Sequence, residues 1–425
     1  MAASAEKPGV LRRLGDWIDE RYPMTSTWEA HLSKYYAPKN FNFWYYFGSL
    51  ALVVLVVQLL TGIFLTMHYK PDTGLAFASV EYIMRDVDWG WLIRYMHSTG
   101  ASLFFVVIYL HMFRAFLYGS HRGPRELLWI IGVVIYVALM AEAFMGYLLP
   151  WGNMSYWGAQ VIISLFDAIP WIGPGLAEWI RGDFVVSDAT LNRFFALHVI
   201  AIPLALVMLV FIHLVALHKV GSNNPDGIEI KKNKDAKGIP VDGIPFHPYY
   251  TVKDIVGVTV FLMVGAAILF FVPEVWGWFL EHDNFVPANI LQTPVDIKPL
   301  WYFTPFYSIL RANTWNFFWI EAKLWGVFFM ALSILAFFFV PWLDRSPVKS
   351  IRYRGWMYKT ALSVFTVSFL VLGYLGTKKP DDIDLILFKN VYWAQIGTVV
   401  YMLFFALMPW YTARDKTKPV PERVT

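Results

Sequence analysis

Long apolar runs separated by shorter polar stretches dominate the hydrophobic pattern of this chain. Eight runs of about 18 or more residues lie at residues 44–68, 91–117, 127–149, 191–218, 255–272, 324–342, 360–376 and 391–410. A helix of this length crosses the hydrocarbon core of a bilayer. The pattern therefore predicts an all-α integral membrane protein with eight transmembrane helices, which we name spans one to eight.

Two shorter apolar runs follow span three, at residues 161–169 and 171–180. Pro170 and Pro174 interrupt them, and neither run is long enough to cross a membrane. We therefore expect two helices that lie at the membrane surface. Inside span four, Pro203 removes a backbone donor, and we expect the helix to kink there.

Charged residues are divided unequally between the two sides on which the loops must lie. One side, which also holds both ends of the chain, carries the basic residues Arg12, Arg13, Arg122, Arg125, Lys219, Lys231, Lys232, Lys234, Lys237, Arg345, Lys349, Arg352 and Arg354. The other side carries Asp72, Glu81, Asp86, Asp88, Glu274, Glu281, Asp283, Asp381, Asp382 and Asp384. Cytoplasmic loops are enriched in Lys and Arg, so both termini are predicted to be cytoplasmic. The polar residues 1–23 do not have the pattern of a cleavable signal peptide.

Composition agrees with a membrane protein and narrows the cofactor chemistry. Of the 425 residues, 57% are hydrophobic, and the mean hydropathy is +0.48, which is typical of a polytopic membrane protein. The sequence has no cysteine, which excludes disulfides, iron–sulfur clusters, thiolate metal sites and covalently attached c-type haem. Any haem must therefore be held noncovalently, and His is the expected ligand.

Two of the spans each carry a pair of histidines. Span two holds His97 and His111, and span four holds His198 and His213. Because span three returns between them, spans two and four run in the same direction. His97 and His198 then lie near the outer face, and His111 and His213 near the inner face.

The histidine spacing indicates two levels in one cleft. Fourteen residues separate His97 from His111, which is about 21 Å along a helix and about 40° around it. The spacing from His198 to His213 is fifteen residues, and we expect the kink at Pro203 to absorb the difference. A lone intramembrane His is most often a hydrogen-bonded core residue. Four at matching levels instead favour two bis-His haems stacked across the membrane, since ionisable groups there are costly.

Glycines share the fourteen-residue spacing, in span one at Gly48 and Gly62 and in span three at Gly132 and Gly146. Helix packing alone explains small residues in membrane spans, but the shared period predicts gaps for the edges of two flat macrocycles. Arg94 and Arg114 flank the histidines of span two and are placed to pair with haem propionates. Snorkelling to the membrane interface is the alternative role for these two arginines.

Several segments resemble cytochrome b, the membrane core of the quinol:cytochrome c oxidoreductase (cytochrome bc) complex. They extend over essentially the whole chain and are together highly specific: IRYMHSTGAS in span two, AFMGYLLPWGNMSYWGAQVI at the end of span three, LNRFFALH and HLVALHKVGSNNPDG at the two ends of span four, HPYYTVKD before span five and KPLWYFTPFYSILR before span six. The chloroplast-type relatives divide this length between two chains, so a single chain favours the bacterial bc type.

The resemblance implies a catalytic subunit that oxidises quinol at an outer site and reduces quinone at an inner site. Electrons would pass through two noncovalent b-type haems, coupled to proton translocation in a Q cycle. Expected partners are a Rieske iron–sulfur protein, a cytochrome c1-type subunit, quinone, lipids and a second copy in a homodimeric complex, with no nucleic acid. The complex would lie in a bacterial inner membrane. The expected divisions are a cytoplasmic segment 1–43, a dihaem bundle 44–220, a cytoplasmic loop 221–254 and a C-terminal region 255–425 with the outer-site loop.

The resemblance also assigns residues to both quinone sites. The outer site is similar to the family's site at Phe144, Gly146, Gly152, Pro299, Leu300, Trp301 and Tyr302, with Tyr307 nearby. At the inner site, His218, Ser222 and Asp254 match quinone-contacting positions. A His and an Asp beside a quinone headgroup could donate its two protons. The alternative is that they are ordinary loop residues near the membrane surface.

One position departs from the family's outer-site motif, which is usually Pro-Glu-Trp-Tyr with the Glu commonly assigned as a proton acceptor. Here Leu300 cannot take a proton. Span three contains Glu142, about 25 Å along the helix from Arg125 and one turn before Gly146. Our hypothesis is that Glu142 removes the quinol proton. The alternative is a carboxyl group that is hydrogen-bonded within the helix bundle.

Two other functions are compatible with buried histidines in a membrane protein. The first is a dihaem membrane anchor of a quinone-linked dehydrogenase or hydrogenase, which generally has fewer spans and lacks the outer-site loop. The second is a proton-coupled secondary transporter, which would use buried His and Glu as coupling sites. Two b-type components in a reduced-minus-oxidised spectrum would exclude the transporter.

Overall fold

A computed structural model describes residues 9–425 of the chain. Residues 1–8 lie outside the described residues. They form the beginning of the predicted cytoplasmic segment 1–43 and of the polar stretch 1–23, which was predicted not to be a signal peptide. Residues 9–425 contain sixteen α-helices: α1 Val10–Asp19, α2 Met24–Trp28, α3 Tyr46–Thr66, α4 Ala76–Arg85, α5 Gly90–Tyr118, α6 Glu126–Leu148, α7 Asn153–Ser164, α8 Gly173–Arg181, α9 Asp188–Ala196, α10 Ile202–Val220, α11 Tyr249–Phe271, α12 Thr304–Ala312, α13 Ala322–Leu343, α14 Trp356–Leu375, α15 Asn390–Ala406 and α16 Met408–Arg414. Two short strands, β1 Tyr36–Pro38 and β2 Gly243–Pro245, form an antiparallel pair.

The helices reproduce the predicted membrane spans. Within the described chain, seven helical stretches are long and apolar enough to cross a membrane, and α15 with α16 makes an eighth that bends by 59°. The bend occurs where Pro409 enters the first turn of α16, because a proline has no N–H to continue the hydrogen bonds of α15. The predicted fold class, a helical multi-pass membrane protein, is confirmed.

Large apolar side chains remain exposed along the spans. On α10 only Leu206 is buried, whereas Leu204, Met208 and Phe211 have exposed fractions of 65%, 59% and 66%. Water would make such a surface unfavourable, but lipid chains are as apolar as these side chains. A lipid environment therefore explains why the helix is apolar around its circumference.

Both ends of the described chain and the basic loops meet on one side. Strand β1, which precedes span one, pairs with β2, which lies between α10 and α11. The C-terminal tail reaches the same loop, where Arg423 pairs with Asp242 at 2.9 Å. Arg352, between α13 and α14, pairs with Asp226 at 2.8 Å. These contacts agree with the prediction that the even-numbered loops and both termini share a side.

The first surface helix after span three begins earlier than predicted. Helix α7 starts at Asn153 and includes Ser155 and Gln160, whereas the apolar run marked only residues 161–169. The polar residues at its start interrupt the apolar pattern, so the sequence indicated only its second half. The second predicted surface helix, 171–180, corresponds to α8 at Gly173–Arg181.

Span four contains a π turn rather than the simple kink that we predicted at Pro203. Residues Leu197–Ala201 form the π turn between α9 and α10. Pro203 has no N–H to donate to the carbonyl of Val199, which opens the hydrogen-bond pattern at this point. A π turn takes one more residue than an α turn because each N–H bonds to the fifth residue back. The fifteen-residue spacing of His198 and His213 is thereby brought into step with the fourteen-residue spacing in α5.

A buried ionic cluster joins the ends of α5 and α13 on the basic side. The carboxylate of Asp344 lies 2.8 Å from His121 Nε2 and accepts a hydrogen bond of 2.6 Å from Arg354. None of the three side chains is exposed to solvent. Burial alone would raise the pKa of Asp344, but Arg354 and His121 outweigh burial and hold that pKa well below its usual range. The carboxylate therefore remains ionised at neutral pH.

Replacing Asp344 with Ala is expected to destabilise the protein strongly. The substitution leaves Arg354 as a buried cation without its counter-charge, and removing one partner of a buried pair costs about 3–5 kcal/mol. The thermal unfolding midpoint of the purified complex measures the effect. Asp381→Ala is the matched control, because the ion pair of Asp381 with Lys389 lies at the surface. Equal midpoints for Asp344→Ala and the parent protein would contradict this role.

Candidate functional site

Two cavities lie at opposite ends of the bundle formed by α3, α5, α6 and α10. The outer cavity has a volume of about 550 Å³, and the inner cavity about 460 Å³. Apolar side chains make up most of both linings. Each cavity contains one of the predicted histidine pairs, His97 with His198 in the outer cavity and His111 with His213 in the inner.

The outer histidines face each other across a gap that suits a metal ion. The ring centres of His97 and His198 are 6.2 Å apart, and the ring planes are inclined at 89°. Since a metal–imidazole bond is about 2 Å long, one ion fits between a nitrogen of each ring. This separation of the ring centres is compatible with bis-His ligation of a haem iron.

Hydrogen bonds select the nitrogen that each outer histidine offers. Thr61 Oγ1 donates to Val57 O, so its lone pair accepts from His97 Nδ1 at 2.9 Å. Nδ1 of His198 donates to the backbone carbonyl of Glu142, also at 2.9 Å. In both rings Nε2 is the nitrogen left for a metal, and the partner of Nδ1 fixes the ring orientation.

Each of the four glycines lies against one histidine of the predicted level. A Cβ atom at Gly48, Gly62 or Gly132 would lie 3.4, 3.4 or 3.3 Å from Cε1 of His111, His97 or His213 respectively. At Gly146 it would lie 2.3 Å from Cε1 of His198, which is too close for any side chain. We had expected the glycines to make room for macrocycle edges. In the structure, they make room for the imidazole rings themselves.

The two flanking arginines line the cavities at which they were expected. Arg94 borders the outer cavity and Arg114 the inner. Neither guanidinium forms an ion pair with a carboxylate of residues 9–425. Arg114 packs over the Tyr45 ring at 4.9 Å, and its Nε is buried without a hydrogen-bond partner in that range. Buried cations of this kind suit an anionic group brought by a ligand.

These donor sets fit haem better than a simple metal ion. The described chain contains no group of three or more His, Cys, Asp and Glu side chains that could hold a metal. Two imidazoles alone bind most metal ions poorly, whereas a haem iron already has four ring nitrogens and needs only axial ligands. Nδ1 of His111 is buried without a hydrogen-bond partner in residues 9–425, so this ring lacks the fixing contact that each outer histidine has.

The inner cavity brings together the three predicted quinone-contacting residues. His218, Ser222 and Asp254 all line it, together with the inner histidine pair. Tyr35 packs on the His218 ring at 4.8 Å, and its hydroxyl lies 3.3 Å from Ser222 Oγ.

The inner cavity also contains His31, whose ring is 5.0 Å from that of His218. No sequence pattern singles out His31, because it precedes span one in a polar segment. It lies in a π turn, Glu29–Ser33, and π turns are frequent at functional sites.

The outer cavity contains part of the predicted quinol site. Leu300 and Tyr302 line it, and Tyr302 stacks on Phe105 with ring centres 3.9 Å apart. Phe144 and Tyr307 do not belong to the lining. The Phe144 ring packs on Phe194, and the Tyr307 hydroxyl donates to Ile297 O at 3.1 Å.

Glu142 lines the outer cavity at the histidine pair. Its Oε1 lies 3.0 Å from Nδ1 of His198, the same nitrogen that donates to the Glu142 backbone carbonyl. The side chain points to the same side as Gly146, as predicted from their one-turn spacing. The carboxylate therefore contacts a proposed metal ligand.

A second carboxylate, Glu281, backs the same cavity and was not among the predicted site residues. It lies between α11 and α12, and only 5% of the residue is exposed. The hydroxyl of Tyr147, which lines the cavity, donates to Glu281 Oε2 at 2.8 Å. Burial raises the pKa of Glu281 to about 7, and hydrogen bonds lower it less. The acidic loop gave no sequence signal that one of its carboxylates is buried.

Comparison with known proteins identifies relatives along nearly the whole chain. The family model described as Cytochrome b/b6/petB matches residues 32–221, and that described as Cytochrome b(C-terminal)/b6/petD matches residues 287–402. The chain is 61% identical to cytochrome b of Allochromatium vinosum, over 99% of this chain and 100% of that protein. It is 46% identical to cytochrome b of Rickettsia bellii, over 98% of each chain.

A solved structure is similar to this chain in both fold and sequence. A chain of "Hyperthermophilic respiratory Complex III" aligns with a TM-score of 0.83 and 37% identity, covering 93% of this chain and 98% of that one. The matches extend over both the histidine bundle and the C-terminal helices.

Proposed function

The chain belongs to the cytochrome b family, and we propose that it binds two b-type haems, one between His97 and His198 and one between His111 and His213. Membership of this family makes the chain the core membrane subunit of a respiratory complex III, a quinol–cytochrome c reductase, with haem b as cofactor. The observation that carries the dihaem proposal is the pairing of histidines at two levels, each ring backed by a glycine.

When bound, each of the two proposed haems would act as a one-electron carrier at its level. The chain's own part is to hold and orient them. Thr61 and the backbone of Glu142 fix the outer imidazoles, and the glycines allow the rings to approach the helices. Arg94 and Arg114 are proposed to pair with the propionates. Both arginines lie in the cavity linings, where charge-assisted contacts are stronger than in water.

At the inner cavity, His218, Ser222 and Asp254 are proposed to hold the quinone headgroup. His218 and Asp254 can supply the two protons that quinone reduction consumes, because both line the cavity on the side of the basic loops. Tyr35 orients His218 and Ser222 through its ring and its hydroxyl.

At the outer cavity, the quinol is proposed to lie between Leu300, Tyr302 and the end of α6. Gly152, which was predicted to line the quinol site, is not part of the cavity lining; its lack of a side chain allows the Asn284 side chain to pack against its backbone and so positions the preceding acidic loop. The Tyr307 hydroxyl donates to Ile297 O and so holds the segment before α12 in place. For Glu142, contact with His198 favours a role in orienting that ligand over the role of proton acceptor.

Partner subunits in a larger complex are proposed to complete the electron path. This chain has no cysteine for a cluster or for a c-type haem, so we propose a Rieske iron–sulfur protein and a cytochrome c1-type subunit as partners in a homodimeric complex. The dihaem bundle would comprise residues 44–220, and the region 255–425 would supply the outer-site loop. The basic side, with both termini and the segments 1–43 and 221–254, is proposed to face the cytoplasm of a bacterial inner membrane.

Affinity purification of the tagged chain in mild detergent tests this setting. We expect a two-iron Rieske cluster by electron paramagnetic resonance, a c-type haem, and quinol-dependent reduction of cytochrome c that an outer-site inhibitor blocks. Purification with a dehydrogenase or a hydrogenase instead would favour the membrane-anchor function. A preparation without any b-type absorbance would favour transport.

A further inference from the structure

The outer cavity needs a proton acceptor that its loop motif cannot supply. Quinol oxidation releases protons, yet Leu300 is an apolar residue with only 7% exposure. Two carboxylates lie close to this cavity: Glu142 lines it, and Glu281 lies behind Tyr147. Their surroundings differ, and this difference separates their roles.

Glu142 belongs to the histidine end of the cavity. Its carboxylate and its backbone carbonyl both lie within 3.0 Å of Nδ1 of His198. Oε1 of Glu142 is occupied by the imidazole, and Oε2 is buried without a hydrogen-bond partner among the described residues, so no polar group there continues a proton path from it. Its contact orients His198, which makes it a positioning residue.

Glu281 belongs to the loop end of the cavity. The two residues before it, Phe279 and Leu280, line the cavity together with Leu300 and Tyr302. Tyr147 reaches from span three into the same space, and its hydroxyl donates to Glu281 Oε2 at 2.8 Å. A tyrosine that lines the substrate space, with its hydroxyl bonded to a carboxylate behind it, offers a two-member proton path.

We infer that Tyr147 and Glu281 together take a proton from quinol at the outer site, in place of the acid that Leu300 lacks. This inference rests on the proposed function of the outer cavity. In the step, one quinol O–H bond breaks and its proton moves to Tyr147 Oη, while the hydroxyl proton of Tyr147 moves to Glu281 Oε2. After the step Tyr147 is again a neutral hydroxyl, and the Glu281 carboxylate has become a neutral acid. The electrons leave by the route of the established reaction. The step concerns one of the two quinol protons.

The surroundings of Glu281 suit reversible proton uptake near neutral pH. Burial raises its pKa to about 7, against the lowering effects of Tyr147 and, more weakly, of Lys298, while Asp283 raises it further. Tyr302 is the remaining titratable group that faces it. A base with a pKa near the working pH both accepts and releases a proton readily. The next residue, His282, is exposed, so the loop reaches the surface directly after Glu281.

The loop that carries Glu281 is held firmly enough to keep this geometry. Asn284 accepts from the Ser155 backbone N–H at 2.9 Å, and its own N–H donates to the Glu281 carbonyl at 3.0 Å. Gly152 pairs with Pro287 and has no side chain to hinder Asn284. Backbone contacts to α7 therefore fix Glu281 relative to the cavity.

The test compares Glu281→Gln, Tyr147→Phe and the double variant in the purified complex. Each single substitution is expected to lower quinol oxidation by about 10²-fold, the contribution typical of a positioned general base. The double variant should lose no more than either alone, because both remove the same path. Turnover of the parent should rise with pH through about 7 as Glu281 loses its proton, and this rise should be absent in Glu281→Gln.

Asp88→Asn, which changes an exposed carboxylate of another loop on the same side, is the matched control and should leave turnover unchanged. Haem spectra and binding of an outer-site inhibitor should be unaltered in all variants. Near-normal turnover of Glu281→Gln, additive losses in the double variant, or altered haem spectra would each overturn the inference. So would a steep loss in Glu142→Gln that Glu281→Gln does not show. The activity of the parent tests the proposed function separately.

Discussion

Replacing His198 with Asn is expected to remove one of two b-type haems and to abolish quinol-dependent reduction of cytochrome c. His198 provides one side of the outer pair, whose ring centres lie 6.2 Å apart. Loss of a residue that merely supports a metal ligand costs roughly 10–100-fold in affinity, and loss of the ligand itself should exceed that. The haem content of the purified complex and its steady-state turnover measure the two effects.

The matched variant is His213→Asn, which removes the corresponding ligand at the inner level. It should remove the other b-type component and leave the outer one intact. Reduction of the remaining haem should then respond to outer-site inhibitors in His213→Asn and to inner-site inhibitors in His198→Asn. Loss of both haems in each variant, or of neither, would contradict two separate sites.

Gly146→Ala is expected to weaken binding of the outer haem, though less than loss of His198 does. Its Cβ atom would lie 2.3 Å from His198 Cε1 and 2.8 Å from both ring nitrogens. The imidazole must move, and because Nδ1 is bonded to the Glu142 carbonyl, the ring cannot move without breaking that contact. We expect the outer haem to bind about 10-fold or more weakly, as measured by haem retention during dilution.

Gly62→Ala is a control at the same haem. Its Cβ atom would lie 3.4 Å from His97 Cε1, an ordinary contact that small shifts relieve. It should therefore retain the outer haem, while Gly175→Ala, which has open space around it, should resemble the parent. Equal haem loss in Gly146→Ala and Gly62→Ala would show that clearance from the imidazole is not the controlling factor.

Much of this arrangement was predictable because membrane burial leaves strong signals. Apolar length located all eight spans, and alternation of basic and acidic loops predicted which ends lie together. The glycine pairs of spans one and three share the fourteen-residue spacing of the histidines in span two. The spacing predicted this relation, because every α-helix has the same rise and rotation per residue. The levels predicted from helix direction are those at which each glycine meets its histidine.

Other features depend on contacts that have no sequence period. The π turn at Leu197–Ala201 arises from a local break in hydrogen bonding. The sequence shows the fifteen-residue spacing of His198 and His213, but it does not show that a π turn takes up the extra residue. Glu142 has a sequence signal because it interrupts an apolar run. Glu281 has none because it lies among other acids in a loop, where only tertiary packing decides which carboxylate is buried.

The most direct test of the central claim is the stoichiometry and redox titration of b-type haem in the purified parent complex. The paired histidines predict two noncovalent b haems per chain, which titrate as two components and are both of the low-spin, bis-imidazole type by electron paramagnetic resonance. One haem per chain, or a component with a single imidazole ligand, would contradict the assignment of His97, His198, His111 and His213 as two axial pairs.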